Sequence, residues 1–387
     1  MRILHLFSDW KWTGPAEPVL DLCKALAERG HTVVLAYRRP PMLVNESVEK
    51  GVLQRGFTGV DTLSLAPISK SYHVHHVVGS FRDITRLARY IDAEAFEVVN
   101  VHLSHDHIVG ALAARRSKRR PAVIRTDHKR DSLETGRVRR WFYRKFSDGV
   151  VTFSEKGREK LVKVLGFPLD RVVKVPTAVD LDRFDPEKGY KNMRQALQIP
   201  PSSPLVGMVA RFQGYRRTDI LLEAISLLIK EIPEVRLLLV GRSSQMKKSV
   251  IEPMERLGIS SHVILAGYRI EDYVDVLASM DIFVLLTPGS DGTARALREA
   301  MAMGKAAVVA RKGMLPELVQ DGLTGLVVDE DPRIVHQALL SLLRDEQLRS
   351  RIGQAAREMA VREFRIERQA QEMENFYQRC LRRGSSS

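Results

Sequence analysis

The sequence predicts two doubly wound α/β domains in tandem, and three observations carry that prediction. Short β-branched runs recur along the chain, they are apolar almost throughout rather than alternating, and amphipathic helical stretches separate them. Parallel strands covered by helices on both faces read this way, because neither side of such a sheet meets water. Regular alternation of strand and helix then selects doubly wound sheets over bundles or sandwiches. The rhythm restarts after the Pro- and Ser-bearing stretch QIPPSSP (198–204), which separates two such sheets.

In the first half the strands are RILHLF, HTVVLAY, EVVNVHL, AVIRT and GVVTF; in the second they are PLVGMVA, RLLLVG, HVILAG, DIFVLL, AAVVA and GLVV. After the first strand, VLDLCKALAERGH places Val19, Leu22, Leu26 and Ala27 on one helical face, with Gly30 where a helix stops. The last stretch, REFRIERQAQEMENFYQRCLRR, is helical and offers Phe364, Ile366, Met373, Phe376 and Tyr377 for burial. The predicted domains are 1–176, completed by the helix 364–383, and 177–363. Two doubly wound domains on one linker predict a cleft at the carboxyl ends of both sheets, where ligands bind in such folds.

Composition limits what the chain does. Its 387 residues exceed one ordinary core and suit two domains, and 44% apolar with 28% charged residues is globular composition. No apolar run approaches the roughly 18 residues of a membrane span, and MRILHLF reads as a strand rather than a signal peptide. Cys23 and Cys380 are too few for a disulfide framework or a zinc site, which points to a reducing cytoplasm. The net charge of +14 is uneven: residues 1–180 hold 31 Lys or Arg against 20 Asp or Glu, and 115–145 hold 13 against 3. Such a patch seeks phosphate on a nucleic acid, an anionic membrane or a ligand, unless it is a solvated face.

The motifs fall at strand ends. In SDWKWTGPAEP, Gly14 precedes a helix whose free N–H groups can receive an anion, and a tight turn explains the same glycine equally well. Trp10 and Trp12 in that loop suit stacking on sugars or lipids, and are assigned to the acceptor, with core packing of one of them an equal alternative. In GMVARFQGYRRTD, Arg211 follows a strand directly, and Arg216 and Arg217 precede a helix, an arrangement that suits a diphosphate. GSDGTARALREAMAMG carries Asp291 and Glu299. Ser290 or Asp291 can cap a helix starting near Thr293; Glu299 on that helix is an acceptor for ligand hydroxyls. Carboxylates for hydroxyls beside arginines for phosphates describe a nucleotide-sugar site. HLSHDH (102–107) has metal-like composition, but its histidines are read as lining the cleft or capping a helix, with His102 and His105 assigned to the acceptor. DLD (180–182) is read as surface acids.

These segments together resemble the retaining glycosyltransferases of family 4, which have the GT-B fold of two Rossmann-like domains facing across a cleft. The resemblance rests on VLDLCKALAERGHTVVLAYR, VVTFSEKGREKL, VDLDRF, VARFQGYRR, REAMAMGKAAVVA and PELVQDGLTGLVVDEDP, in that order and over nearly the whole chain. It implies that Arg211 and Arg216 hold the donor pyrophosphate and that Glu299 holds the nucleotide ribose. Asp291 and the backbone after it, at Gly292, Thr293 and Ala294, would contact the donor sugar and phosphate; Gly14, Gly267 and Tyr268 complete the donor set. His128, in RTDHKRD, matches the histidine that the family places near the reacting carbon. Three positions depart from the family pattern: Asp291 stands for its usual Glu, with GTA in place of GFG; Arg216 stands for Lys; and PTAVD (176–180) stands for NGVD.

The expected function is a cytoplasmic, metal-independent hexosyltransferase, without cofactor, working by front-face substitution in which the leaving phosphate takes the acceptor proton. The catalytic set is His128, Asp291, Arg211 and Arg216. The basic first domain points to an acceptor on an anionic membrane, such as a lipid-linked glycan or the lipopolysaccharide core, with the enzyme peripheral on the inner face. Two other classes stay open: a sugar-nucleotide epimerase or hydrolase of the same fold, and a basic nucleic-acid-binding protein, which the absence of any recognisable nucleic-acid module disfavours.

Overall fold

The computed structural model describes residues 1–11, 14–38, 47–54, 60–63, 74–128, 136–288 and 294–384. The chain divides into two compact units: Met1–Ala178 with Ile366–Ser387, and Val179–Arg365. The first unit holds β1 (Arg2–Phe7), β2 (Thr32–Tyr37), β3 (Val60–Leu63), β4 (Val98–Val101), β5 (Ala122–Thr126), β6 (Gly149–Thr152) and β7 (Val172–Lys174). They form one sheet in the order β3-β2-β1-β4-β5-β6-β7. The second unit holds β8 (Leu205–Val209), β9 (Arg236–Val240), β10 (Val263–Gly267), β11 (Ile282–Leu285), β12 (Ala306–Ala310) and β13 (Leu326–Val328). Their order is β10-β9-β8-β11-β12-β13, and every pair in both sheets is parallel. In each unit this is the doubly wound α/β sheet expected from the apolar strands. The strands β3 and β7 are additions to the sequence reading.

Both faces of the first sheet are dry. Ile3, Phe7, Val33, Leu35, Val98, Ile124 and Val151 pack beneath the helices Ala16–Glu28 and Ile366–Gly384. Leu4, Leu6, Val34, Val99 and Val101 pack on the opposite side with Leu87, Ile91, Val109 and Ala113. The helix Ser104–Arg116 lies unusually close to β1 and β4, because a Cβ on Gly110 would stand 2.7 Å from both Leu6 Cδ1 and Val101 Cγ1. Met373, Phe376 and Tyr377 are buried in this unit, as the helical pattern of the C-terminal stretch requires. Phe364 departs from that expectation: it belongs to the second unit, where the Arg298 guanidinium sits 4.8 Å from its ring centroid. The chain crosses between the units two residues later than the predicted boundaries, at 178/179 and at 365/366, and within the second unit Val179 N–H donates to the Phe364 carbonyl at 2.9 Å.

Each sheet order reverses direction once, between β1 and β4 and between β8 and β11. Outside the carboxyl ends of the strands at such a reversal, the connecting loops diverge and leave a crevice, which is where open α/β sheets bind ligands.

Candidate functional site

In the second unit, the residue two positions past a strand is polar at all six strand ends: Arg211 after β8, Arg242 after β9, Arg269 after β10, Thr287 after β11, Lys312 after β12 and Glu330 after β13. Arg211 is exposed and makes no hydrogen bond or ion pair with the described residues. Arg216 ends the short turn Gly214–Arg216, and its Nη1 donates to the Thr287 carbonyl at 3.0 Å, bridging the two strands at the reversal. Its Nε is buried with no hydrogen-bond partner among the described residues. A guanidinium tethered at one nitrogen and unsatisfied at another is poised for an anion.

Glu330 organises the neighbouring charges. Lys312 Nζ donates to its two oxygens at 2.8 and 2.9 Å, Thr287 Oγ1 donates to it at 3.3 Å, and Arg217 lies 3.8 Å away. Lys312, Glu330 and Arg242 were not singled out in the sequence, although their place after apolar strands is the signal that picked Arg211. Gly267 ends β10 with φ +70°, and the Arg242 guanidinium lies 4.4 Å from the ring centroid of the half-exposed Tyr268.

Glu299 lies on the helix Arg295–Ala302 and is only 3% exposed. Tyr273 Oη donates to Oε2 and Arg295 Nε to Oε1, each at 2.6 Å. Burial, reinforced by Glu299, holds the Tyr273 hydroxyl well above its ordinary range, so it stays a donor. Each carboxylate oxygen keeps a lone pair for a ligand hydroxyl. The helix starts at Arg295, within two residues of the expected Thr293, and its N-cap is Ala294, in the left-handed conformation at φ 46°, rather than Ser290 or Asp291. Asp291, Gly292 and Thr293 lie outside the described residues, as does Trp12. Glu299→Gln is expected to weaken binding of a nucleoside diphosphate about tenfold, the worth of a hydrogen bond to a charged acceptor; titration calorimetry checks this, and unchanged affinity would remove Glu299 from the site.

In the first unit, Gly14 is exposed just before the helix Ala16–Glu28, and Trp10 is partly buried with Lys11 Nζ 5.3 Å from its ring centroid. His105 sits partly buried in the first turn of Ser104–Arg116. His102 is not at a surface: it is 1% exposed, and both its ring nitrogens meet other histidines, Nε2 to His5 Nδ1 and Nδ1 to His128 Nε2, each at 3.0 Å. His128 follows β5 and is 5% exposed. Beside this row, Asn100 accepts from Thr126 Oγ1 at 2.9 Å and donates to Tyr377 Oη at 2.6 Å. Asp106 accepts from the Ser8 and Leu103 N–H groups at 3.0 and 2.9 Å, tying the end of β1 to the helix Ser104–Arg116. Arg125 is 1% exposed, and its Nε and Nη1 find no partner among the described residues.

These buried groups make the unit acid-sensitive. Burial pulls His5, His107 and His128 down to about 3, and His102 well below its ordinary value. An unfolded chain protonates its histidines near 6.5, so their contribution to stability is full above that pH and is lost as pH falls towards 3. Asp106 works the other way: its carboxyl, pushed up to about 6 by burial, contributes fully below 3.8 and loses that as pH rises through 6. Four rings outweigh one carboxyl, so stability is expected to fall by more than ~1 kcal/mol per pH unit below pH 6. Thermal unfolding across a pH series checks it, and a flat profile would contradict the burial of these rings.

Comparison with known proteins decides the family. The model described as Glycosyltransferase Family 4 matches residues 13–183, and that of Glycosyl transferases group 1 matches 177–359. The chain belongs to the group 1 glycosyltransferases. This glycosyltransferase is 28% identical over 411 residues to D-inositol 3-phosphate glycosyltransferase of Xylanimonas cellulosilytica, covering 94% of this chain and 91% of that protein. The enzyme of the same name from Corynebacterium urealyticum is 32% identical over 202 residues, so the match spans 50% of this chain and about half, 47%, of that relative's length. N-acetyl-alpha-D-glucosaminyl L-malate synthase of Bacillus anthracis is 25% identical over 381 residues, 94% of this chain and 93% of that protein. Among solved structures, a glycosyltransferase from Rickettsia africae superposes with a TM-score of 0.83 at 18% identity, covering 98% of each chain. Anabaena HepE, solved in complex with UDP-glucose, superposes with a TM-score of 0.76 at 20% identity, covering 97% of this chain and 99% of that one. At these identities the structural likeness establishes the fold.

Proposed function

We propose that this glycosyltransferase moves a sugar from a nucleotide donor, without a metal and with retention of anomeric configuration. The observation that carries this reading is the pair of arginines past the β8–β11 reversal, where, among the described residues, Arg211 is unengaged and Arg216 keeps a buried, unpartnered Nε. Two guanidinium groups there suit a diphosphate, and fixed positive charge beside the leaving group stabilises the charge that develops as the glycosidic bond breaks. The reading gives the ribose hydroxyls to Glu299 and the donor sugar to Asp291 and the backbone from Gly292 to Ala294. Gly14, Gly267 and Tyr268 complete the donor contacts. The first unit takes the acceptor, through Trp10, Trp12 and His105, and supplies His128; His102, buried with both ring nitrogens on other histidines, is left out of the acceptor contacts. The leaving phosphate takes the acceptor proton. HepE in complex with UDP-glucose makes a uridine nucleotide the first donor to test. A thermal-shift screen of UDP, GDP and ADP identifies the base, because a ligand that binds only the folded state raises its melting temperature; no shift with any of the three would contradict the diphosphate site.

For the acceptor, the basic stretch 115–145 supports a lipid-linked glycan, such as lipopolysaccharide core, on an anionic membrane. Within it, the helix Arg137–Phe146 exposes Val138 and Trp141, 78% and 55% accessible, beside exposed Arg137, Arg144 and Lys145. Apolar side chains ringed by cations suit a peripheral membrane contact, and among the described residues no helix is long and apolar enough to cross a membrane. Binding to anionic vesicles is expected to weaken steeply with salt, exposed charges being screened within about 10 Å at 0.1 M, and Trp141→Ser is expected to weaken it further. Equal binding to neutral and anionic vesicles would return these residues to a solvated face. A second reading, a small soluble anionic acceptor, is favoured by the relatives named for inositol 3-phosphate and L-malate. Transfer to such acids without vesicles would select it.

A further inference from the structure

Three of the four buried histidines described in the first unit form a hydrogen-bonded row with a direction. His5 stands within β1, His102 just past β4 and His128 two residues past β5, and the row has N···N separations of 3.0 Å at both junctions. The His5 and His102 rings stack, and His102 and His128 tilt, with centroids 5.2 Å apart in both pairs. Each junction needs one N–H and one bare nitrogen. A neutral imidazole has a single N–H, so His102, bonded at both nitrogens, donates through one and accepts through the other. All three rings therefore carry hydrogen on Nδ1, or all three carry it on Nε2. Burial keeps the rings neutral at physiological pH.

The ends of the row choose between the two senses. His5 Nε2 and His128 Nδ1 are both buried with no hydrogen-bond partner among the described residues. A buried orphan N–H is rarer in proteins than an acceptor left short of a donor. His5 is 0% exposed inside a strand, so its outer nitrogen is best left bare. His128 lies past a strand end, where a substrate oxygen can satisfy an N–H. We propose that His5 and His102 are positioning residues that lock His128 as the Nδ1–H tautomer, so that His128 meets its substrate as a hydrogen-bond donor and not as a base. The functional half of this rests on the reading of His128 as a site residue. It agrees with a reaction in which the leaving phosphate, not a side chain, accepts the proton.

The test is long-range proton–nitrogen correlation NMR of the full chain with nitrogen-15-labelled histidine, at neutral pH. The expected spectrum shows a protonated Nδ1 and a bare Nε2 on His5, His102 and His128 alike. His102→Phe keeps the ring but removes both junctions. It is expected to release His128 to the Nε2–H form that free neutral histidine prefers, and to lower kcat roughly tenfold, the worth of one hydrogen bond, with the donor KM unchanged. An Nε2–H His128 in the unaltered protein would overturn the proposal whether or not the variant folds, and so would an Nδ1–H His128 that persists in His102→Phe. His128→Ala separates the two layers. Full activity in that variant would overturn the functional half and the role of His128 in the site, while an all-Nδ1–H spectrum would leave the row itself standing.

Discussion

Arg211→Ala and Arg216→Ala are each expected to lower transfer about 100-fold or more while leaving the protein folded. The two side chains make different contributions to the fold. Arg211 is exposed and unengaged by the described residues, so its loss should leave the melting temperature unchanged. Arg216 gives one nitrogen to the Thr287 carbonyl, so its loss removes a strand-bridging bond and is expected to cost about 1 kcal/mol of stability. Each charge-assisted bond to a diphosphate is worth roughly 1.5–3 kcal/mol, and an arginine fork makes two. Arg216→Lys keeps the charge but loses the fork, and should recover only part of the activity. Steady-state kinetics beside thermal unfolding checks the pair. Near-normal turnover in folded Arg211→Ala and Arg216→Ala would leave the crevice without a diphosphate to hold.

The largest stability effect is expected from Gly241→Ala. Gly241 follows β9 with φ +142°, and a Cβ there would stand 1.9 Å from the Ala210 carbonyl oxygen. The crowding atom is backbone, which no rotamer change relieves, and the conformation itself is one that L side chains rarely adopt. Gly241 N–H also donates to the Gly267 carbonyl at 2.8 Å, and Ala210 N–H to the Val240 carbonyl at 3.0 Å. One added methyl group therefore pushes apart the ends of β8, β9 and β10, and with them Arg211, Arg242 and Tyr268. A loss of about 3 kcal/mol or more is expected, a fall of roughly 10 °C in melting temperature for a unit of this size, together with weaker nucleotide binding. A wild-type melting temperature in Gly241→Ala would mean that this close approach of strand ends is wrong.

Much of the fold was legible because its elements repeat one physical pattern. All six strands of the second unit and five of the seven in the first announced themselves as apolar β-branched runs. The two that did not, β3 and β7, are only 4 and 3 residues long, and β3 carries Asp61 and Thr62. The fate of Phe364 was hidden because an amphipathic pattern shows that a ring is buried, not which core takes it. At the site, Arg211 and Arg216 could be read from their place after β8, and Lys312 and Glu330 obeyed the same rule unnoticed. Tyr273 is 26 residues from Glu299, and nothing local in the sequence links them. His5 was invisible for a stronger reason: it sits inside an apolar strand, and its partner is 97 residues away. Sequence patterns report what a residue does to its own element, whereas a hydrogen bond across strands exists only after the sheet has formed.

The central claim is retaining transfer from a nucleotide sugar, and one measurement tests it most directly. The protein is incubated with a panel of UDP-, GDP- and ADP-sugars, with lipid-linked and small anionic acceptors and without any acceptor, and proton NMR follows both nucleotide release and the anomeric configuration of the product. The predicted result is nucleoside diphosphate release that depends on an acceptor, with the new glycosidic bond keeping the donor's configuration and with chelator leaving the rate unchanged. An inverted product would contradict the account, as would donor epimerised or cleaved to free sugar at the same rate with and without acceptor.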